Sequence, residues 1–178
     1  EYMGEGSASV SGENVVIPQS STDNFSTNGY CSYTTQAESG KVICHYTAPT
    51  AGLVCVSLNL SKRNDYSFYK NGEFLYSENY SIPQSLAVCY VEPGDELEVR
   101  FTCKANESGS IQIRAALLDE TIFRQGYGIL NASALQLETF ANTRVSGTIQ
   151  CDRNGLLYTS IPQDGNWVAT VDGQPAQI

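Results

Sequence analysis

The chain has 178 residues, of which 41% are hydrophobic and 16% are charged, and its formal net charge is −9. Because nucleic acid is a polyanion, an acidic chain without a basic stripe is not expected to bind it. No apolar run reaches the ~18 residues that a membrane-spanning helix needs, so no segment of this sequence is expected to cross a bilayer.

Short segments of alternating polarity, separated by turn residues, fill the chain up to residue 118. Residues 7–34 are rich in Asn and Ser and are predicted to be irregular, with one or two edge strands. Asn71-Gly72 supplies the two residues with positive φ that a type I′ turn requires, so this pair predicts a hairpin. The period-two pattern predicts strands at 41–48, 53–60, 66–70, 73–76, 85–91, 96–103 and 110–118.

Residues 119–131 interrupt this strand pattern. Asp119 is a suitable N-cap, and four apolar residues lie near one helical face, so a short connector helix is predicted. These four residues are Ile122, Phe123, Tyr127 and Leu130. Beyond the helix, strands are predicted at 135–140, 145–151, 156–161 and 167–171, with turns at 152–155 and at Asp172-Gly173.

The pattern as a whole predicts an all-β protein with two domains. Residues 1–118 are expected to form a jelly-roll-like antiparallel β-sandwich, because about seven short strands at roughly ten-residue spacing are typical of that fold. Residues 119–178 are expected to form the connector helix and a second antiparallel β unit.

Six cysteines are present, at positions 31, 44, 55, 89, 103 and 151. No CxxC pair occurs and His45 lacks metal-ligand spacing, so neither a metal nor a cofactor is predicted. If the first two predicted strands form a hairpin, Cys44 and Cys55 lie nearly opposite each other and are a candidate disulfide. Cys103 alternates with apolar residues, and free buried thiols are the favoured interpretation.

The sequence does not favour a catalytic site. A glycosidase needs two carboxylates about 5 to 9.5 Å apart in a cleft, whereas the densest carboxylates crowd a turn and the solvent face of one strand. They are Glu92, Asp95, Glu96 and Glu98. A serine hydrolase needs a base, and the single histidine, His45, has no Gly-x-Ser-x-Gly elbow beside it. We therefore predict no catalytic residue.

Aromatic residues offer weak candidates for sugar binding, because flat rings stack on sugars and nearby polar groups set orientation. Tyr66, Tyr69 and Tyr76 lie around the Asn71-Gly72 hairpin, and Tyr66 is a candidate for projection into solvent. Trp167 begins a later predicted strand. Tyr residues in strands also pack across the sheet, and Trp167 also fits a core anchor, so packing is the alternative interpretation for this group.

The segment 155–175 reads Gly-Leu-Leu-Tyr-Thr-Ser-Ile-Pro-Gln-Asp-Gly-Asn-Trp-Val-Ala-Thr-Val-Asp-Gly-Gln-Pro. It resembles a recurrent segment near the C-terminus of the YfhO family, which contains Ile-Pro-Tyr-Asp-Lys-Gly-Trp and Val-Asp-Gly-Lys-Pro. Gln163, Gly165 and Asn166 stand where the family has tyrosine, lysine and glycine. The hairpin at 68–72, the connector helix and the start at Glu1-Tyr2 also look like features of that family, so the resemblance loosely covers most of the chain.

The resemblance implies a piece of a bacterial multi-pass membrane protein similar to lipid-linked-sugar glycosyltransferases. It places the chain on the extracytoplasmic face of the cytoplasmic membrane, next to the parent transmembrane helices, and it implies a truncated second β unit. The catalytic loops of such enzymes lie among the membrane helices, so no catalytic residue carries over to this chain.

The expected function is that of a non-catalytic accessory domain in the glycosylation of cell-envelope polysaccharide or teichoic acid. Its expected partner is a cell-envelope glycan or a lipid-linked sugar. Two alternatives stay open: a carbohydrate-binding or adhesion module that acts through its own surface, and a structural spacer packed on the membrane helices.

Overall fold

The computed structural model describes residues 8–36, 38–152, 154–162 and 165–177. The chain divides into two compact units, one ending at Gly126 and one beginning at Tyr127. The described part of the first unit contains the elements β1 (Ala8–Glu13), β2 (Val15–Val16), α1 (Gln19–Asn28), β3 (Tyr30–Thr35), β4 (Gly40–Thr47), β5 (Gly52–Leu60), β6 (Asp65–Lys70), β7 (Glu73–Asn79), β8 (Gln84–Val91), β9 (Glu96–Cys103) and β10 (Ser108–Leu117).

Two five-stranded antiparallel sheets make up the first unit. The front sheet has the order β1-β4-β9-β6-β7, and the back sheet has the order β2-β3-β10-β5-β8. From β3 to β10 the strands pair in nested fashion: β3 with β10, β4 with β9, β5 with β8 and β6 with β7. A long strand pair folded over itself in this way is a jelly roll. The predicted fold class is therefore confirmed.

The core lies between the two sheets and is built from alternate residues of their strands. On β5, Val54, Val56 and Leu58 are at most 1% exposed, while Ser57 between them faces solvent. Fully burying an aliphatic or aromatic side chain of this size stabilises a fold by about 1.5–3 kcal/mol. Other fully buried side chains of this core are Tyr46, Tyr66, Phe25, Phe68, Phe101, Leu97, Ile111, Ile113 and Val42.

Helix α1 was not predicted, although the edge strands around it were. β1 and β2 each lie at the edge of a sheet, as expected for this part of the chain. The sequence of α1 is Gln-Ser-Ser-Thr-Asp-Asn-Phe-Ser-Thr-Asn, whose Ser and Asn side chains compete for backbone hydrogen bonds and disfavour a helix. The helix is stabilised by packing instead: Phe25 is fully buried, with its ring centroid 6.3 Å from that of Tyr46.

The hairpin predicted at Asn71-Gly72 is present, and its turn is held by a second turn of the chain. Asn71 and Gly72 have φ values of 51° and 80°. The Asn71 amide Nδ2 donates a hydrogen bond of 2.7 Å to Asp95 Oδ1, and Lys70 Nζ lies 2.8 Å from Asp95 Oδ2. The Glu92 backbone N–H also donates to Asp95. Hydrogen bonds from Asn71, Glu92 and Lys70 hold the pKa of Asp95 well below its usual range.

Replacing Asp95 by asparagine should lower the thermal midpoint at pH 7 and make the domain less sensitive to acid. The depressed pKa of Asp95 means that its stabilising effect is fully present above the unfolded-state pKa of about 3.9 and is lost progressively as the pH falls from there through the lower pKa of the folded state. The difference in midpoint between wild type and Asp95→Asn should therefore shrink from pH 7 to pH 3, as followed by circular dichroism. Asp65→Asn, at an exposed carboxylate at the start of β6, is the control. A difference that stayed constant with pH would contradict this account of Asp95.

The connector helix and the second unit differ from the first in burial. α2 (Glu120–Asn131) begins at the predicted N-cap, because Asp119 Oδ1 accepts the backbone N–H groups of Thr121 and Ile122 at 3.0 Å each. No described residue from 127 onward is buried. The strands that follow form two separate hairpins: β11 (Gln136–Ala141) with β12 (Arg144–Thr148), and β13 (Ala169–Val171) with β14 (Gln174–Ala176).

Several predictions for the second unit need correction. The hairpin at Asp172-Gly173 is present, with φ values of 50° and 76°. The strand predicted at 156–161 is wrong, because a strand needs a hydrogen-bonded neighbour and no described segment pairs with these residues. The turn predicted at 152–155 includes Arg153, and the family-like segment 155–175 includes Gln163 and Asp164. These three residues lie outside the described residues. The predicted start at Glu1-Tyr2 also lies outside them.

The predicted hairpin of β4 with β5 is wrong, because the chain passes from the front sheet to the back sheet between them. Cys44 faces the core and lies opposite Val99 of β9, whereas Cys55 lies opposite Ala116 of β10. The disulfide proposed for Cys44 and Cys55 therefore loses its geometric basis. All six cysteines are free thiols, and burial raises the pKa of the Cys44 thiol well above its ordinary value.

Candidate functional site

A row of polar and aromatic side chains crosses the solvent face of the front sheet. The strand register places Ser9 opposite His45, His45 opposite Glu98, Glu98 opposite Tyr69, and Tyr69 opposite Phe74. Two residues away, on the same face, lie Ser11 of β1 and Arg100 of β9. We call these residues the cross-strand row: Ser9, Ser11, His45, Glu98, Arg100, Tyr69 and Phe74.

The row has an aromatic end on β6 and β7. The rings of Tyr69 and Phe74 pack edge to face, with centroids 5.6 Å apart and planes at 70°. The guanidinium carbon of Arg100 lies 3.8 Å from the centroid of the Tyr69 ring, which is a cation–π contact. Phe74 remains 58% exposed. The ring of Phe74 is therefore open to solvent and is held in place by Tyr69.

The centre of the row is a tight ion pair on β9. Arg100 Nε and Nη2 both donate to Glu98 Oε2, at 2.8 and 2.6 Å. Partial burial opposes the charge of Arg100, but the hydrogen bond to Glu98 outweighs it, so the pKa of Arg100 is raised. The other carboxylate oxygen, Glu98 Oε1, lies 3.5 Å from His45 Nδ1. The side chains of Glu98 and Arg100 at the centre of the row are therefore paired, and each holds the other in one orientation.

The other end of the row opens into a shallow depression at the β1 edge. Ser11 Oγ lies 2.9 Å from His45 Nε2, at hydrogen-bonding distance. The depression has a volume of about 310 Å³ and is lined by Ser9, Ser11, His45, Tyr46, Thr47 and Glu96. Tyr46 is buried, and Phe25 of α1 packs against it from inside. Helix α1 therefore supports the strand that carries His45.

Ser11, His45 and Glu98 follow one another as a serine, a histidine and a carboxylate do in hydrolases. Their geometry is not that of an activated nucleophile. The distance of 3.5 Å between His45 Nδ1 and Glu98 Oε1 exceeds the hydrogen-bond reach of about 2.6–3.2 Å expected of such a relay. Glu98 is also neutralised by Arg100, which weakens its ability to stabilise a histidine cation. We therefore interpret the row as a set of binding groups.

Comparison with protein-family models matches residues 5–178 to the family described as bacterial membrane protein YfhO. This chain belongs to the YfhO family. The resemblance seen in the segment 155–175 is thereby confirmed. Neither helix among the described residues of this YfhO-family chain has the length and apolar content needed to cross a membrane.

Among solved structures, the YfhO-family chain is similar to TmCBM61 in complex with beta-1,4-galactotriose, with 16% identity and a TM-score of 0.42 over 65% of this chain and 92% of that one. It is also similar to a native family 35 carbohydrate binding module from Clostridium thermocellum, with 14% identity and a TM-score of 0.39 over 65% and 95% of the two chains. Comparison with curated proteins gives no match.

Only one of the residues predicted from the sequence lies on the row of this YfhO-family chain. Tyr69 contributes to its aromatic end. Tyr66 and Tyr76 instead flank Phe68 on the inner side of the front sheet, with ring centroids 5.6 and 5.0 Å from it. Trp167 belongs to the second unit, where it is partly buried just before β13.

The idea that Tyr66 projects into solvent is wrong. Tyr66 is 1% exposed, because it shares the inner face of β6 with Phe68, two residues along the strand. Its hydroxyl donates to Gln84 Oε1 at 2.6 Å, and burial raises the pKa of Tyr66 to about 12. Tyr66 is therefore a core residue.

Sequence reasoning missed Phe74 and Arg100 and gave His45 and Glu98 no binding role. The alternation of Leu97, Val99 and Phe101 does show that Glu98 and Arg100 face outward. What the sequence lacks is a signal that β9 lies between β4 and β6, because neither neighbour adjoins it along the chain. Phe74 lies two residues after Gly72. It shares the outer face with Tyr69 because a bulge shifts the register between β6 and β7.

Proposed function

We propose that this chain is a non-catalytic accessory domain of a YfhO-family membrane protein, located on the extracytoplasmic face of the bacterial cytoplasmic membrane. It helps to position a cell-envelope polysaccharide, a teichoic acid or a lipid-linked sugar for glycosylation. The observation that carries this proposal is the cross-strand row, which combines an open aromatic ring with fixed polar groups on one sheet face. Sugars are bound by such combinations, because rings stack on their apolar faces and polar groups pair with their hydroxyls.

The row is preorganised for binding. All of its residues are on strands, and the ion pair of Glu98 with Arg100 orients both side chains before any ligand arrives. Tyr69 holds Phe74 from one side and is itself covered by Arg100. Groups that are already ordered lose little entropy when a ligand binds, so a row of this kind favours affinity.

Each of the two predicted domains is assigned a role in this proposal. Residues 1–118 carry the glycan-binding face, and residues 119–178 attach this domain to the parent transmembrane helices. Ile122, Ile129 and Leu130 of α2 are 66%, 70% and 78% exposed. A helix with so much exposed apolar surface favours packing against another part of the protein. The same observation supports a second candidate function, that of a structural spacer.

Replacing Phe74 by alanine should weaken glycan binding by at least about tenfold, which corresponds to ~1.4 kcal/mol. The reason is that Phe74 carries the only open ring of the row, and an aromatic contact with a sugar depends on that flat surface. Binding of the 178-residue chain to bacterial cell-envelope oligosaccharides on an array, followed by calorimetry, measures the effect. Tyr90→Ala removes a ring of similar exposure, 51%, from the back sheet and should leave binding unchanged.

Two outcomes would count against the proposal. If the unmodified chain binds no envelope oligosaccharide, the row does not serve as a glycan site. If, in addition, deletion of the chain from its parent leaves envelope glycosylation intact and lowers only the amount of the parent protein, the structural spacer is the correct function.

A further inference from the structure

The positive charges of the front sheet restrict the ligand that the cross-strand row can take. Its strands contain three lysine or arginine residues, and each is paired with a carboxylate. Lys41 lies 3.3 Å from Glu13, Lys70 lies 2.8 Å from Asp95, and Arg100 lies 2.6 Å from Glu98. Phosphate and sulfate groups are bound through cationic donors. A ligand with such groups would therefore have to compete with a carboxylate for each of these cations.

The carboxylates beside the row also disfavour a negatively charged ligand. Glu96 is exposed at the rim of the depression, and Glu98 Oε1 faces the row next to His45. Carboxylates accept hydrogen bonds from hydroxyl or ammonium groups and repel anions. The formal net charge of the chain, −9, adds a general repulsion of polyanions. The face is therefore suited to a ligand rich in donors and poor in negative charge.

The hydroxyl end of the row supplies both hydrogen-bond donors and hydrogen-bond acceptors. Ser9, Ser11 and Thr47 all line the depression, and a hydroxyl group both donates and accepts. The Ser11 hydroxyl is oriented by His45 at 2.9 Å. Sugar hydroxyls have the same dual character, so this end can pair with several of them without a formal charge on the ligand.

The two ends of the row are too far apart for a single sugar. β1 and β7 are the outer strands of a five-stranded sheet. Neighbouring strands lie about 4.8 Å apart, so the row spans roughly 19 Å from Ser9 to Phe74. A ligand that contacts both ends must be an oligosaccharide that runs across the strands.

We propose that the cross-strand row binds an oligosaccharide without phosphate or sulfate groups, lying across the strands with one end on Phe74 and the other in the depression at Ser11 and His45. This inference rests on the proposed glycan-binding function and adds the class of ligand and its direction on the sheet. Among cell-envelope polymers, the ligand is then a neutral or amine-bearing sugar chain and not a phosphate backbone.

The first experiment compares ligand classes. A glycan array carries neutral, amine-bearing, and phosphate- or sulfate-bearing oligosaccharides, each as short and as long members, and the 178-residue chain is the probe. Long neutral or amine-bearing members should bind, while phosphate- and sulfate-bearing members of the same length should not. Preference for the anionic set would overturn the inference while leaving the proposed function intact. Absence of binding to every set would instead count against the proposed function itself.

The second experiment tests the direction of the ligand. Ser11→Ala removes one hydroxyl from the far end of the row and should weaken the binding of a long oligosaccharide roughly three- to tenfold, the usual effect of one hydrogen bond. It should not change the binding of a short member that rests on Phe74 alone. Ser57→Ala, at an exposed serine of the back sheet, is the matched control. Unchanged binding of the long oligosaccharide in Ser11→Ala, or equal loss for both lengths, would refute the extended arrangement.

Discussion

Replacing Tyr66 by alanine is expected to destabilise the sandwich by about 3–5 kcal/mol, as truncation of a large buried aromatic ring generally does. The ring of Tyr66 packs against Phe68 at 5.6 Å and against Phe101 at 6.0 Å, and its hydroxyl binds Gln84 across the core. Domains of this kind are stable by only about 5–15 kcal/mol in total, so the loss is a large fraction. Urea unfolding followed by circular dichroism and tyrosine fluorescence measures it.

Two further variants separate the role of the Tyr66 ring from that of its hydroxyl. Tyr66→Phe keeps the ring and leaves Gln84 Oε1 without its donor, so the expected loss is only about 0.5–1.5 kcal/mol. Tyr69→Ala changes the neighbouring outward tyrosine and should affect glycan binding more than stability. An unfolding midpoint for Tyr66→Ala equal to that of wild type would mean that the ring does not lie in the core.

Replacing Gly29 by alanine is expected to cost about 2–5 kcal/mol of stability, for two reasons that add. Gly29 has a φ of +64°, in the left-handed region that L-residues avoid. A Cβ at Gly29 would also lie only 1.9 Å from the carbonyl oxygen of Ile113, so strand β10 would have to move. The same glycine ends α1, where its N–H donates to Phe25 at 2.8 Å. Thermal and urea unfolding of the variant check the prediction.

Gly72→Ala is the matched control for Gly29→Ala. Gly72 has a φ of +80°, but nothing lies within 4 Å of the position of an added Cβ. The left-handed strain alone applies, and the expected loss is about 1 kcal/mol. If the two alanine variants lost the same stability, the contact of Gly29 with β10 would have no energetic weight.

The local parts of the fold could be predicted because local chemistry decides them. The alternation of Leu97, Val99 and Phe101 placed a strand at 96–103, and β9 has those limits. Asn71-Gly72 and Asp172-Gly173 determined their own hairpins, because positive φ at two successive residues is rare elsewhere. The spacing of such strands was sufficient to predict a jelly-roll-like sandwich.

What could not be predicted depends on contacts between distant segments. The sequence of α1 disfavours a helix, and only the burial of Phe25 stabilises one. The segments of β4 and β5 look like a hairpin, yet the nested pairing places them in different sheets. Tyr66 and Tyr69 are alike in type, and a period of two does not say which of them faces inward.

The candidate site was predicted only in part for the same reason. Tyr69 was identified as an aromatic residue near a hairpin, whereas its contacts with Arg100 and Phe74 depend on the pairing of β6 with both β9 and β7. His45 and Glu98 lie far apart along the chain, with β5 to β8 between their strands, and become neighbours only when β4 pairs with β9. In the second unit, strand propensity at 156–161 had no partner strand to act on.

The nested strand pairing also determines when the domain can fold. β3 pairs with β10, and the hydrogen-bonded side chains of Thr34 and Ser108 are 74 residues apart in the chain. Domains dominated by such distant contacts fold slowly, because the entropy of closing long loops must be overcome before the contacts form. A nascent chain that has emerged only as far as β9 therefore presents apolar strands without their final neighbours. Co-translational folding of this domain must therefore wait for β10, and until then the edges of β3 and β5 that β10 will join stay unpaired.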